Sequence, residues 1–205
     1  MNAKVVCLVM TIFVTTAFGE PEVVLEPSPG ALKVVAFWRE AGPALWFAKD
    51  PRFDARFRER FLLEHEAAAR GELMQWQSTP EGALALVILL DQFPRNAFRG
   101  TTRMYDTDAM ARKIANTAFA AGYDQRIPTE LQKFLVLPFG HSEDLADQER
   151  AVALCRRIGP DDLKHAEHHR DIVRRFGRFP HRNAIFKRES TPEEKQYLDN
   201  GGYAG

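Results

Sequence analysis

The chain lacks the features that mark several protein classes. It has two cysteines, Cys7 and Cys155, too few for a disulfide-stapled scaffold. It has no excess of either charge: 28 Lys and Arg stand against 28 Asp and Glu. That balance argues against a nucleic-acid partner, which calls for a basic surplus, so the run Arg174, Arg175, Arg178 reads as a solvated or ion-paired face. Long apolar/polar alternation is missing, and no Asn-Gly pair stands between two strand-like runs, so a sheet is not expected. There is no glycine-rich phosphate loop and no HExxH string. No apolar stretch is long enough to span a bilayer comfortably.

One apolar run does stand out. Lys4 precedes Val5 to Phe18, and Ala17-Phe18-Gly19 places small residues before Glu20. This is the layout of a secretory signal peptide over residues 1–19, although Met10 inside the run also fits a start codon placed too early. A functional signal implies a periplasmic or secreted protein with no membrane span after cleavage; otherwise the protein is cytoplasmic. Cleavage would remove Cys7, leaving Cys155 without an intrachain partner. At helical spacing from Val152 and Ile158, Cys155 reads as a small core residue.

What remains is a helical chain punctuated by proline and glycine. Residues 20–28 form a Pro- and Glu-rich linker, 29–200 an all-α domain, and 201–205 a tail expected to fray. Ser28-Pro29, Asp50-Pro51 and Thr79-Pro80 each pair an N-cap residue with proline at the first helical position. Phe53, Phe57 and Phe61 stripe one helix. The most apolar helix runs from Thr79 and is expected to end at Pro94, with a loop over 96–106. A helix over 128–137 is expected to break at Pro138. Ser142 is expected to cap the next helix, and Thr191 with Glu194 fits a capping box. The pattern gives seven or eight helices packed as antiparallel pairs.

Two stretches echo one another. Leu84, Val87, Ile88 and Asp91 share a helical face, followed by Phe93-Pro94-Arg95-Asn96. His169, Ile172, Val173 and Phe176 share another, followed by Gly177 and Phe179-Pro180-His181-Arg182-Asn183. Each places one polar residue on an apolar face, then turns through aromatic-Pro toward Arg-Asn. A carboxylate on such a face loses water and needs a cationic partner; Arg182 is the first candidate for Asp91 and Arg95 the second.

The strings LDQFPRN (90–96), LPFGHSEDLADQE (137–149) and HRDIVRRFGRFPHRN (169–183) resemble the bacterial domain-of-unknown-function family numbered 924. Ala36-Phe37-Trp38, the Trp46-Phe47 and Phe53-Asp54 spacing and Ser190 to Glu194 share the likeness, which covers about Leu32 to Leu198. The resemblance implies an all-α fold similar to tetratricopeptide-repeat superhelices and carries no reaction with it. The apolar leader departs from the family's pattern. No clean 34-residue repeat is visible.

Five histidines, His141, His165, His168, His169 and His181, fall late in the chain with Glu143. They lack metal-ligand spacing, and no metal or cofactor is expected. Ser142 beside His141 is a poor nucleophile pair, because adjacent residues rarely face each other. The better set pools Asp91, Arg95, Asn96, Arg182 and Asn183 as ligand-binding groups with His169 and His181 as acid/base candidates. It reads either as a buried structural network or as a pocket for a small anionic or carboxylate ligand gripped by arginine forks. The rival is a helical scaffold that offers a concave surface to a protein or peptide.

Overall fold

A computed structural model describes residues 25–205; the expected signal segment, Cys7 and residues 20–24 of the linker lie outside them. The described residues hold ten α-helical segments and no strand. They are α1 (Pro29–Ala41), α2 (Pro43–Trp46), α3 (Pro51–Ala69), α4 (Pro80–Val87), α5 (Phe93–Ala97), α6 (Asp108–Ala120), α7 (Thr129–Gly140), α8 (Leu145–Cys155), α9 (Pro160–Phe176) and α10 (Pro192–Asp199). Since α2 is one turn and α4 and α5 form a single rod, eight full helices result, packed helix on helix.

The cap signals account for three helix starts. Asp50 accepts from the amides of Arg52 and Phe53, Thr79 from Gly82, and the Thr191–Glu194 capping box is complete. One start differs. Asp144, not Ser142, caps α8, accepting from Ala146 and Asp147, while the Ser142 hydroxyl accepts from the Asp144 amide at 3.1 Å.

Residues Ala83 to Leu90 are at most 1% exposed, as suits the central helix of a core that is apolar all round. This rod packs against α1, α3, α6 and α7, so it is the axis of the domain. An aromatic layer covers one side: Trp38 meets Phe57 and Phe134 at centroid distances of 5.3 Å each, and Phe57 meets Phe93 edge-on at 5.1 Å. Full burial of one such side chain contributes roughly 1.5–3 kcal/mol.

The two expected proline breaks do not occur. Pro138 lies inside α7, which continues to Gly140. Pro94 follows a π-helical turn, Ile88–Gln92, that carries the rod on to Ala97. Proline has no N–H and its ring crowds the carbonyl one turn back; a π-turn widens the ladder there. The carbonyls so released have other donors: His65 Nδ1 bonds Leu89 O at 2.8 Å, and the Thr107 hydroxyl bonds Leu90 O. Arg95 Nη1 adds a bond to Asp91 O at 2.7 Å. Proline alone therefore does not end a helix when neighbouring elements supply those bonds.

The tail expected to fray packs down instead. Gly202 N bonds Tyr197 O at 2.9 Å, and the Tyr203 ring lies 4.7 Å from that of His169. A large aromatic beside an apolar histidine face gains burial that a free end would forgo.

Candidate functional site

The two aromatic-Pro corners reach one place by different routes. The first is helical throughout, through the π-turn. The second is a true stop: Gly177 takes the left-handed conformation (φ 69°) that ends α9, and Pro180–Arg182 form a 3₁₀ turn. Arg95 and Arg182 nevertheless line the same cavity, of about 290 Å³. Asn96, His141, His181, Tyr105 and Tyr203 also border it.

Asp91 supports this wall from behind. It is fully buried, with Arg95 Nη1 at 3.2 Å, His141 Nδ1 at 2.9 Å and Gln92 Nε2 at 2.6 Å. The partner expected second, Arg95, is thus the one found; Arg182 is not bound to Asp91. Position four residues on in a continuous helix brings Arg95 back over Asp91, which a break at Pro94 would have prevented. Burial alone would raise the Asp91 carboxyl, but the Arg95 charge and the His141 bond outweigh it and hold it at about 2. Burial and the Arg95 charge push the His141 imidazole below its usual range. His141 therefore stays neutral at neutral pH and donates Nδ1–H to the carboxylate, leaving Nε2 as an acceptor.

The two guanidinium groups are not equivalent. Arg95 is fully engaged by acids: besides Asp91 it makes a bidentate pair with Asp108, at 2.9 and 3.0 Å. Arg182 is 7% exposed and has no carboxylate within ion-pairing distance among the described residues. Its charge lies over the rings of Phe179 and Tyr105, at 4.4 and 4.7 Å, and its Nε has no hydrogen-bond partner there. Burial, then the like charge of Arg95, lowers its pKa. A buried cation resting on aromatic faces with an unused donor suits an added anion. The expected pair of forks is thus one saturated fork and one open one.

His181 shares this cavity; burial and the Arg182 charge push it down to about 4. His169 lies in the wall of a second cavity, of about 110 Å³, between α7, α8 and α9. Its Nδ1 bonds Gly140 O at 3.1 Å, and its Nε2 has no partner among the described residues. Burial, then the nearby His141, lowers it to about 3. Neither imidazole therefore titrates near neutral pH, contrary to the unperturbed value of roughly 6.5 on which their acid/base assignment rests.

Asn96 borders the main cavity while donating to Asp54 at 2.7 Å. Asn183 does not border it. Its amide donates to Ser190 and Glu194, at 3.1 and 3.2 Å, which ties the corner loop to α10. Glu143, read at first with the late histidines, binds Arg188 at 2.7 and 3.0 Å and the Phe179 amide at 2.9 Å. No group of three or more His, Cys, Asp or Glu converges as a metal cage among the described residues. Sequence reasoning missed Tyr105, Asp108 and Tyr203. Only Asp108 carried a signal, as an acid in the first turn of α6 without a local partner.

Fold and site together define an all-α helical domain with a buried Arg/His/Asp network beside a cavity. Residues 34–202 match the family described as bacterial protein of unknown function (DUF924), and the chain belongs to that family. It is similar to a solved structure of a protein of unknown function, ATU0120, from Agrobacterium tumefaciens. The two are 55% identical, with a TM-score of 0.82 over 83% of this chain and 97% of that one. No curated protein matches the chain. No helix among the described residues is long and apolar enough to cross a membrane.

Proposed function

We propose that the protein binds a small anionic, carboxylate-bearing ligand, with Arg182 as its principal contact and Arg95, Asn96 and His181 around it. The observation that carries this reading is the state of Arg182: 93% buried by area (7% exposed), without a counter-ion among the described residues, and in the wall of a cavity of about 290 Å³. Uncompensated buried charge costs several kcal/mol, and a bound anion would supply the compensation. Binding is favoured over processing, since His169 and His181 are held neutral by burial and make weak bases at neutral pH.

The rival reading is a tetratricopeptide-like scaffold for a peptide. Its support is the run α7, α8, α9, in which successive helices pack as neighbours. Against it, α4 packs on α1, α6 and α7, whereas a one-dimensional stack leaves each repeat touching only its neighbours. A compact ligand site fits that central helix better than a long groove. For the leader, export is the proposed role, tested by N-terminal sequencing of periplasmic or secreted material. Glu20 or a close neighbour at the new terminus supports it; Met1 retained in cytoplasmic protein opposes it.

The test is a thermal-shift screen of small carboxylates and phosphates. Stabilisation of the wild type that is absent from Arg182→Ala supports the pocket. No stabilisation by any anion, together with capture of a peptide on a helical face, supports the scaffold instead.

A further inference from the structure

The main cavity and the smaller one beside His169 share four wall residues: Phe47, His141, His165 and Tyr203. The two cavities therefore lie side by side as two arms of one region, and their walls differ. The larger arm holds the open guanidinium of Arg182. The smaller arm is built largely from small or apolar residues on three helices: Val136 and Leu137, Ala151 and Cys155, and Ala166. Small side chains are what leave the space: a Cβ added at Gly140 would make only ordinary contacts, at 3.9 Å from His169 and 4.0 Å from Ala151.

The residues walling both arms hold buried polar atoms without a partner among the described residues: Arg182 Nε and His181 Nδ1 at the first and His169 Nε2 at the second. Arg182 and His169 are opposite in character. The guanidinium only donates. His169 Nδ1–H donates to the Gly140 carbonyl at 3.1 Å, so a neutral ring leaves Nε2 as an acceptor. Unmade bonds to buried groups are costly on each side, so a ligand that completes both gains twice.

We infer that the two arms join between the four shared residues and that the site takes a carboxylate with an apolar body, aliphatic or aromatic, that extends through this throat into the second arm and carries a hydroxyl or N–H donating to His169 Nε2. This rests on the anion-site reading and narrows it to a ligand class. An apolar cavity of roughly 150 Å³ holds a benzene ring, and the second arm, of about 110 Å³ with the throat in addition, is of that order. Acetate and phosphate occupy only the head.

Calorimetry with acetate, 3-phenylpropanoate and 3-(4-hydroxyphenyl)propanoate tests it. The phenyl compound binds at least about tenfold tighter than acetate, from burial of its ring. The hydroxyl adds a further roughly two- to tenfold, and His169→Phe removes that increment alone. Ala166→Phe, which fills the arm, returns both aryl acids to the level of acetate and leaves acetate unchanged. Should that variant fail to fold, the wild type still decides. Alkylation of Cys155, followed by peptide mass, is slowed by the aryl acids and not by acetate. Equal binding of acetate and the aryl acids, with no protection of Cys155, overturns this inference and leaves the anion site standing. No binding of any of the three, with Arg182→Ala indistinguishable from wild type, removes both.

Discussion

Arg95 holds Asp91 at two points: Nη1 donates to the aspartate's own backbone carbonyl at 2.7 Å and lies 3.2 Å from its carboxylate. One guanidinium nitrogen therefore bonds the rod's backbone and compensates a buried charge. Continuation of the helix through Pro94 is what brings Arg95 over Asp91. Backbone irregularity, ion pair and cavity wall are thus one construction.

Removing Asp91 should be severe. The residue is fully buried, and deleting one member of a buried pair typically costs ~3–5 kcal/mol. Glu193 pairs with Arg175 at 2.8 Å, but both side chains are more than half exposed, and such pairs contribute ~0–1 kcal/mol. Urea denaturation of Asp91→Ala and Glu193→Ala at neutral pH should separate the two clearly. Equal losses would mean that Asp91 is not buried in solution.

Thr107→Val should destabilise without changing shape. The swap keeps the side-chain volume and strands the buried Leu90 carbonyl that the hydroxyl serves, at a cost of ~1–3 kcal/mol. Hydrogen exchange should show faster opening around 88–92 than in α6. An unchanged urea midpoint would show that the π-turn does not depend on this bond.

Acid should unfold the protein earlier than carboxylate titration alone requires. His169 and His181 are lowered to about 3 and about 4 in the folded state, against roughly 6.5 unfolded. Below that unfolded value the denatured chain takes up protons that the native chain refuses. The stability from burying neutral rings is thus complete above about pH 6.5 and is lost as pH falls toward the folded values. Asp91, held at about 2, adds its loss only below its usual value of 3.8. Melting temperatures from pH 7.5 to 4.5 should fall for the wild type and fall less steeply for His169→Phe. Parallel slopes would mean that His169 titrates normally.

Much of this was readable in the residues because it is local. Asp50-Pro51, Thr79-Pro80 and the Thr191–Glu194 box act within one turn, so their helices begin where the strings place them. Polar residues on apolar faces likewise marked Asp91 and His169 as buried. What could not be read depends on distant chain. Whether Pro94 ends a helix is decided by His65 and Thr107, which supply bonds to Leu89 and Leu90. Arg182 and Arg95 follow similar dipeptides, yet one is saturated because Asp108 arrives from α6. Tyr203 belongs to the site because the tail folds back onto α9.

The most direct test of the anion site is a crystal structure of the protein with 4-bromobenzoate, whose bromine is located by anomalous scattering. The expected result is a carboxylate within hydrogen-bond distance of the Arg182 guanidinium, in the cavity bordered by Arg95 and Tyr105. A well-defined Arg182 paired instead with a carboxylate of the chain itself, and no bromine signal in either arm at saturating ligand, would contradict it.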